Sequence, residues 1–290
     1  MDSIADIEAG KKYIYENNLN IEEEIIHSEG CECYIFFSSN GLHTNKSFHE
    51  FESTIIIGNR YEWKSVAKAL KKRKGIGKVI YVRDVYEKFY LYGSSRSLSS
   101  IDQVMDYLSA LAVDYQVTTV GISSGGYMAV IAGCILSAKR VFCISGQFDL
   151  SNRLSQKDEE IFRQNNRKYF NIIDLIKANT QVPIYYFCPV NCREDYENYA
   201  RVRDIDNVRS FLFPDKEHAA TVYPFNFPDL LCLSNKKLDK LQKQYRCRII
   251  NKNFFLLRTM SIWGFFEFSK RLVKSKMSIS NLKELWNVKK

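Results

Sequence analysis

The feature that most constrains the fold is the alternation of short apolar runs with segments of helical periodicity. Runs with strand character lie at 11–16, 22–27, 33–39, 53–57, 78–82, 117–122, 140–145, 182–188 and 208–213. Apolar residues at helical spacing, or an Ala/Gly-rich composition, mark 63–70, 99–112 and 124–137 as helices. Strands separated by helices indicate βαβ units. The sequence therefore predicts an α/β protein with a mainly parallel sheet and helices on both faces.

Charge is distributed unevenly along the 290 residues. Residues 236–290 hold 15 Lys and Arg against three acids, a balance of +12, whereas residues 1–235 hold 27 bases and 30 acids. The excess of positive charge therefore belongs to the end of the chain, and we expect no nucleic-acid partner for the body. We predict a domain at 1–235, with a lid-like helical insert at 151–180, followed by a basic amphipathic helical tail at 236–290.

The tail is also rich in Phe and Trp, which crowd between 254 and 268 with Lys and Arg on either side. Such basic amphipathic segments suit an anionic membrane surface, so 251–276 is a candidate membrane contact. Packing of these aromatics on the body or on a partner is the alternative. No apolar stretch is long enough to span a bilayer, and the opening MDSIADIEAG lacks the pattern of an export signal. We expect a cytoplasmic protein, peripheral on the inner membrane face, with reduced cysteines.

One pentapeptide in this frame is typical of a nucleophile. Gly121-Ile122-Ser123-Ser124-Gly125 has the form G-x-S-x-G and lies between a predicted strand and a predicted helix. A tight strand-to-helix turn strains the serine backbone and lifts its hydroxyl clear of the sheet. Glycines two residues to either side avoid a Cβ that would strike the strand or the helix. The sequence therefore predicts Ser123 as a nucleophile.

A serine nucleophile needs a base and an acid within reach of each other. His218 is the only histidine downstream of Ser123, and it follows the last predicted strand. Asp195 follows the penultimate strand and is the predicted acid. The rival acids are Glu194, Asp149, Asp204 and Asp206.

Acyl transfer also requires hydrogen-bond donors for the oxyanion. The backbone N–H of Ser124 is one candidate, and Ser39 or Asn40, in the loop after strand 33–39, is the other. No C-x-x-C pair and no dinucleotide-binding glycine pattern occur in the chain. We therefore expect no metal site and no bound cofactor.

The set Gly121, Ser123, Gly125, Asp195 and His218, in this order and after successive strands, resembles the α/β-hydrolase superfamily over roughly 11–235. Residues 81–93, the helix at 99–112 and the stretch GISSGGYMAVIAG are also similar to hydrolase-like proteins encoded in bacterial capsule polysaccharide clusters. This second resemblance implies work on a surface glycan, with Arg83, Tyr90 and Arg96 as substrate-binding candidates. A solvated loop after a strand is the alternative for those residues.

The resemblance implies a serine acyl-transfer enzyme, an O-acetyltransferase acting on a surface or capsular polysaccharide with acetyl-CoA as donor. A carboxylesterase or deacetylase would use the same residues, with water as the acceptor. A non-catalytic, hydrolase-like subunit of a polysaccharide assembly complex is the third hypothesis.

Overall fold

The structure is a computed structural model that describes residues 4–40, 47–151, 153–219, 227–246, 248–261 and 265–266. Its centre is a seven-stranded sheet in the order β1-β3-β2-β4-β5-β6-β7. The strands are β1 Ile21–Ile25, β2 Glu32–Phe37, β3 Ile76–Val82, β4 Gln116–Ile122, β5 Arg140–Ile144, β6 Ile184–Pro189 and β7 Val208–Phe213. Only the edge pair β1 and β3 is antiparallel among these strands; every other pair is parallel.

Helices cover both faces of the sheet. They are α1 Ile4–Asn17, α2 Phe48–Phe51, α3 Lys64–Leu70, α4 Ile101–Leu111, α5 Ser124–Ile135, α6 Gln156–Asn166, α7 Ile173–Ala178, α8 Arg193–Val202, α9 Phe227–Leu231, α10 Asn235–Tyr245 and α11 Lys252–Thr259. A π-helical segment, Glu52–Ile57, continues α2, and a 3-10 turn, Arg167–Tyr169, continues α6.

Strand β2 shows how the sheet divides two cores. Cys33, Ile35 and Phe37 pack in one buried cluster with residues of α4 to α8. Tyr34 and Phe36 pack in a second cluster with α3, α9, α10 and α11. Alternate side chains of a strand point to opposite faces, so a continuous apolar run supplies both cores. The predicted fold class, a mainly parallel sheet with helices on both faces, is confirmed.

Two predicted strands are wrong. Residues 11–16 lie inside α1, and residues 53–57 lie in the π-helical segment after α2. Ile14 and Ile55 share a small buried cluster with Phe51, and Ile7 packs against it. The apolar positions of α1 are thus spaced for one face of a helix, a period that six residues are too few to distinguish from alternation. In the β-branched run at 53–57, Ile55 is buried whereas Ile57 is exposed. A strand would place these two side chains on the same face, so this burial pattern fits a helix and not a strand.

The predicted boundary at 235/236 does not coincide with a break in the core. Leu238 and Leu241 of α10 and Phe255 of α11 belong to the second cluster. The Phe255 ring lies 5.3 Å from that of Phe211 and 5.4 Å from that of Phe213, centroid to centroid. The first part of the predicted tail therefore packs on the sheet. Its remainder, residues 262–264 and 267–290, lies outside the described residues.

The connection from β5 to β6 carries the predicted insert at 151–180. It holds α6, the 3-10 turn and α7, with Phe162 and Phe170 buried against the first cluster. None of the helices within the described ranges is both long and apolar enough to cross a membrane.

Candidate active site

The turn between β4 and α5 is as tight as the pentapeptide predicts. Ser123 has φ 55° and ψ −124°, a left-handed conformation that costs a non-glycine residue about 1–3 kcal/mol. A Cβ on Gly121 would lie 2.0 Å from the Gly125 carbonyl oxygen, and one on Gly125 would lie 2.3 Å from the Phe37 oxygen. Both glycines are therefore required by the space, and the turn holds Ser123 half-buried at the carboxyl end of the sheet.

The side chain of His218, in the loop after β7, reaches this serine. Its Nε2 lies 2.8 Å from Ser123 Oγ, and its Nδ1 lies 2.9 and 3.1 Å from the two carboxylate oxygens of Asp195. A carboxylate can only accept hydrogen bonds, so Nδ1 carries the hydrogen and Nε2 accepts one from the serine hydroxyl. The structure thus brings together all three side chains predicted as catalytic.

Asp195 is placed by a helix and not by the loop that the sequence indicated. It lies in the first turn of α8 and is fully buried, whereas the His218 side chain is 34% exposed. The rival acids point elsewhere: Glu194 pairs with Arg153, Asp149 with Arg201 and Asp204 with Arg203. The fourth rival, Asp206, is exposed in the turn before β7.

The buried carboxylate changes the acid–base behaviour of the ring. The hydrogen bond from His218 to Asp195 raises the pKa of His218 above its ordinary value of 6.5, and partial burial of the ring opposes this. The charge of Glu194 raises the same pKa further, and that of Arg153 lowers it. The imidazole is thus a stronger base than a free histidine.

The predicted oxyanion donors differ in what they contact. Ser124 begins α5, so its backbone N–H has no acceptor within the helix. The Asn40 N–H donates to Ser124 Oγ over 2.9 Å, which places the loop after β2 directly beside the turn between β4 and α5. Ser39 is a correction: its N–H donates to Glu62 over 2.6 Å, and its hydroxyl donates to the same carboxylate over 3.0 Å. The Asn40 N–H is likewise engaged, with Ser124 Oγ, so of the three predicted donors these contacts leave only the Ser124 N–H available beside Ser123.

Glu62 is a residue that sequence reasoning missed. Burial raises the pKa of its carboxyl, while the two hydrogen bonds from Ser39 act in the opposite direction. It anchors the loop that also carries Asn40. No local motif announces this contact, because the partners are 23 residues apart and meet only in the fold.

Two of the three predicted substrate-binding residues are not available to a substrate. Arg83 is 2% exposed, and it donates to Asn20 Oδ1 over 2.9 Å and to the Arg60 carbonyl oxygen over 3.2 Å. Tyr90 is fully buried, and its hydroxyl donates to the Ser38 carbonyl oxygen over 2.9 Å. Both hold the loops at this edge of the sheet together. Arg96 is exposed, and its backbone N–H donates to the Tyr15 carbonyl oxygen.

A thiol lies beside the acid and the base. The metal-binding atoms of Cys192, Asp195 and His218 all lie within 4.8 Å of one another, the one such cluster among the described residues. Two of its members already bond to each other, so a metal ion here would compete with the hydrogen bond between His218 and Asp195. The arrangement is a serine hydroxyl, an imidazole and a buried carboxylate in series, which can activate the hydroxyl for attack on an acyl carbon.

The sequence matches no protein-family model and no curated protein. The parallel sheet with its elbow between β4 and α5 gives the chain the α/β-hydrolase fold.

Several solved structures are similar to this chain. The capsule O-acetyltransferase of Neisseria meningitidis serogroup A is 12% identical, with a TM-score of 0.48 over 67% of this chain and 83% of that one. MenH from S. aureus is 10% identical, with a TM-score of 0.46 over 77% and 99%. MGS-MChE2, an α/β hydrolase from a sediment metagenome of the Mar Chica lagoon in Morocco, is 16% identical, with a TM-score of 0.44 over 77% and 94%. At these identities and TM-scores the likeness carries no argument about activity or substrate, and the fold is assigned from the sheet order and the turn between β4 and α5.

Proposed function

We propose that the protein is a serine-dependent acyl-transfer enzyme with Ser123 as nucleophile, His218 as general base and Asp195 as the acid that orients it. The observation that carries the proposal is the continuous hydrogen-bonded series from Ser123 Oγ through the His218 ring to Asp195, at 2.8 and 2.9 Å. The strained backbone of Ser123 supports it, because strain of this kind persists where a function requires it. A non-catalytic subunit would have no use for either feature.

The chemistry proceeds in two halves. Ser123 Oγ attacks the acyl carbonyl carbon while its proton moves to His218 Nε2, and the oxyanion forms beside the Ser124 amide. The Asn40 amide becomes the second donor when it exchanges its hydrogen bond to Ser124 Oγ for one to the oxyanion. Collapse of this intermediate breaks the bond to the leaving group, which takes the proton from His218 and leaves an acyl-serine. An incoming hydroxyl then attacks the acyl-serine, giving its proton to His218, and Ser123 recovers the proton as the new ester departs.

The finer proposal concerns the acceptor and the donor. We take the acceptor to be a hydroxyl of a surface or capsular polysaccharide and the donor to be acetyl-CoA. The resemblance at 81–93 and 99–112 supports this assignment. An esterase or deacetylase remains the second candidate, favoured by the exposure of His218, since water can reach an imidazole whose side chain is 34% exposed.

A serine-directed fluorophosphonate tests the nucleophile. We expect stoichiometric labelling of the wild type at Ser123 and none of Ser123→Ala, with Ser99→Ala as a matched control because Ser99 is exposed and outside the site. Labelling that persists in Ser123→Ala, or that is absent from the folded wild type, contradicts the proposal. Acetyl-CoA turnover with and without polysaccharide then separates transfer from hydrolysis: transfer requires that the released CoA be matched by new sugar esters.

The proposed location is cytoplasmic, peripheral on an anionic membrane face through 251–276. Phe255 and Leu256 are buried against the body, so within α11 they are not available to a membrane, whereas Leu257 is 52% exposed. Phe265 and Phe266 are 50% and 56% exposed. We expect the double substitution Phe265→Ser with Phe266→Ser to reduce co-sedimentation of the full chain with phosphatidylserine vesicles. Unchanged co-sedimentation, or none by the wild type, contradicts a role for this segment.

A further inference from the structure

A cavity of about 680 Å³ lies at the same edge of the sheet as Ser123 but outside the serine site. Three separate segments meet around it: α1, the loop that follows β3, and α6 of the insert. The volume falls in the range of small-molecule sites, roughly 300–1,000 Å³. A space of this size between three segments can hold several sugar rings or an equivalent chain of polar groups.

Three tyrosines form one wall of the cavity. The ring of Tyr86 lies between those of Tyr15 and Tyr92, with centroids 4.9 and 5.3 Å away. The Tyr15 hydroxyl donates to the Tyr92 carbonyl oxygen over 2.9 Å, which fixes two of the rings relative to each other. All three rings are half-buried. Preorganised aromatic faces offer apolar surface at low entropic cost, and Tyr86 keeps a hydroxyl for which the described residues provide no hydrogen-bond partner.

The charged groups of the cavity are arranged in pairs. Lys88 lies 2.9 Å from Asp158, and Lys11 lies 3.1 Å from Glu87. With Glu8, the lining holds two cations and three anions. A polyanion such as a coenzyme A phosphate would meet net repulsion here. A neutral polyhydroxyl ligand can exchange hydrogen bonds with these fixed donors and acceptors without separating a charge.

The loop that follows β3 connects this cavity to the serine site. Its Asp84 carboxylate accepts the backbone N–H groups of Lys88 and Tyr90 over 2.7 and 2.8 Å, which makes the loop rigid. The Tyr90 hydroxyl donates to the Ser38 carbonyl oxygen, in the loop that also carries Asn40. Since β2 alone separates β3 from β4 in the sheet, the two strand ends lie about 10 Å apart. An acceptor chain held in the cavity would have to extend across the end of β2 to reach Ser123.

From these contacts we infer that the cavity binds an uncharged stretch of the glycan acceptor, while one of its hydroxyls reaches Ser123. The inference rests on the proposed function and deepens it, because it assigns the tyrosine wall to the acceptor and excludes the acyl donor from it. Tyr86 is the central recognition residue, since its ring contacts both of the others.

The test is binding of maltohexaose and of hexa-N-acetylchitohexaose, two uncharged oligosaccharides, to full-length Ser123→Ala protein by calorimetry. Hexagalacturonate serves as the anionic counterpart. We expect an uncharged sugar to bind at millimolar concentrations or below and the anionic one to bind more weakly. Adding Tyr86→Ala should weaken the affinity roughly tenfold, because one stacking ring is lost. Tyr86→Phe should retain most of it.

Tyr13→Ala is the matched control, since Tyr13 lies on α1, is 57% exposed and is not part of the cavity wall. The inference is overturned if neither uncharged sugar binds, if the anionic sugar binds more tightly, or if Tyr86→Ala and Tyr13→Ala behave alike. Fluorophosphonate labelling of Tyr86→Ala, with Ser123 present, shows whether that variant is folded. If the wild type is labelled but Ser123→Ala binds no sugar, the inference alone is defeated. If Ser123→Ala binds sugar but the wild type is not labelled, the proposed function is defeated.

Discussion

The two sides of the candidate site are built differently. On one side, Ser123, His218 and Asp195 form a continuous series of hydrogen bonds, with every donor directed at the next acceptor. On the other side, the loop after β2 is held by contacts within the protein: Ser39 by Glu62, and Asn40 by Ser124.

The two sides differ in the structural elements that position their residues. Ser123 and Asp195 are placed by helices that begin at the carboxyl ends of β4 and β6, and His218 follows β7, so the sheet positions the whole series. The described part of the loop after β2 is held by separate contacts: Ser39 to Glu62, Asn40 to Ser124 and the Ser38 carbonyl oxygen to Tyr90. We therefore expect a substitution of Ser123, His218 or Asp195 to abolish most of the acylation rate. A substitution in the contacts of the loop after β2 should reduce that rate only in part.

The largest effect is expected from Asp195→Asn. The amide cannot hold His218 in the tautomer that accepts from Ser123, so the acylation rate should fall by about 10⁴-fold. The rate of p-nitrophenol release from p-nitrophenyl acetate, in single turnover, measures it. Asp195 is fully buried, so its substitution can also destabilise the protein. An unchanged thermal unfolding midpoint is the control that separates a loss of catalysis from a loss of folding. A loss of less than tenfold in a folded variant would assign the acid to another residue.

A smaller effect is expected from Glu62→Gln. The amide offers one acceptor oxygen where the carboxylate receives both the N–H and the hydroxyl of Ser39, so the loop that positions Asn40 should loosen. Acylation should slow by roughly ten- to a hundredfold, less than the loss from a donor removed outright. Glu29→Gln is the control, because Glu29 is exposed and far from this contact. Equal rates for the two variants would show that Glu62 does not position the oxyanion side.

The smallest effect is expected in the pH profile. The base must be neutral, so activity should fall as the pH drops through the pKa of His218, which lies above 6.5 because of its bond to Asp195. Removing the negative charge in Glu194→Gln should move this acid limb to lower pH, and removing the positive charge in Arg153→Gln should move it to higher pH. Initial rates measured between pH 5 and 9 give the midpoint of the acid limb for each variant and for the wild type. Shifts of the same sign in the two variants would contradict the electrostatic account.

The part of the site that could be predicted from the sequence is the part placed by the sheet, namely Ser123, Asp195 and His218. A serine between two glycines at a strand-to-helix junction is a local pattern, and the space around Gly121 and Gly125 explains it. His218 was predictable from chain order after the last strand. The contact between Ser39 and Glu62 was not, because it joins two loops whose approach only the packed fold determines.

The errors have a related cause. Arg83 and Tyr90 are polar residues in a loop near the site, which indicates a binding role when only the sequence is known. In the fold, each finds internal partners at Asn20 and Ser38 and becomes buried. Composition does not reveal whether a polar side chain is satisfied by substrate or by its own protein. The two wrong strands, at 11–16 and 53–57, are short apolar runs for which periodicity alone cannot choose between helix and strand.

The ring of Phe255 has a consequence for how this protein is made. It covers Phe187 of β6 and Phe211 and Phe213 of β7, the strands that lead to Asp195 and His218. During synthesis, the nucleophile turn leaves the ribosome more than a hundred residues before this cover does. The serine turn is thus synthesised well before the residue that covers the two strands leading to Asp195 and His218.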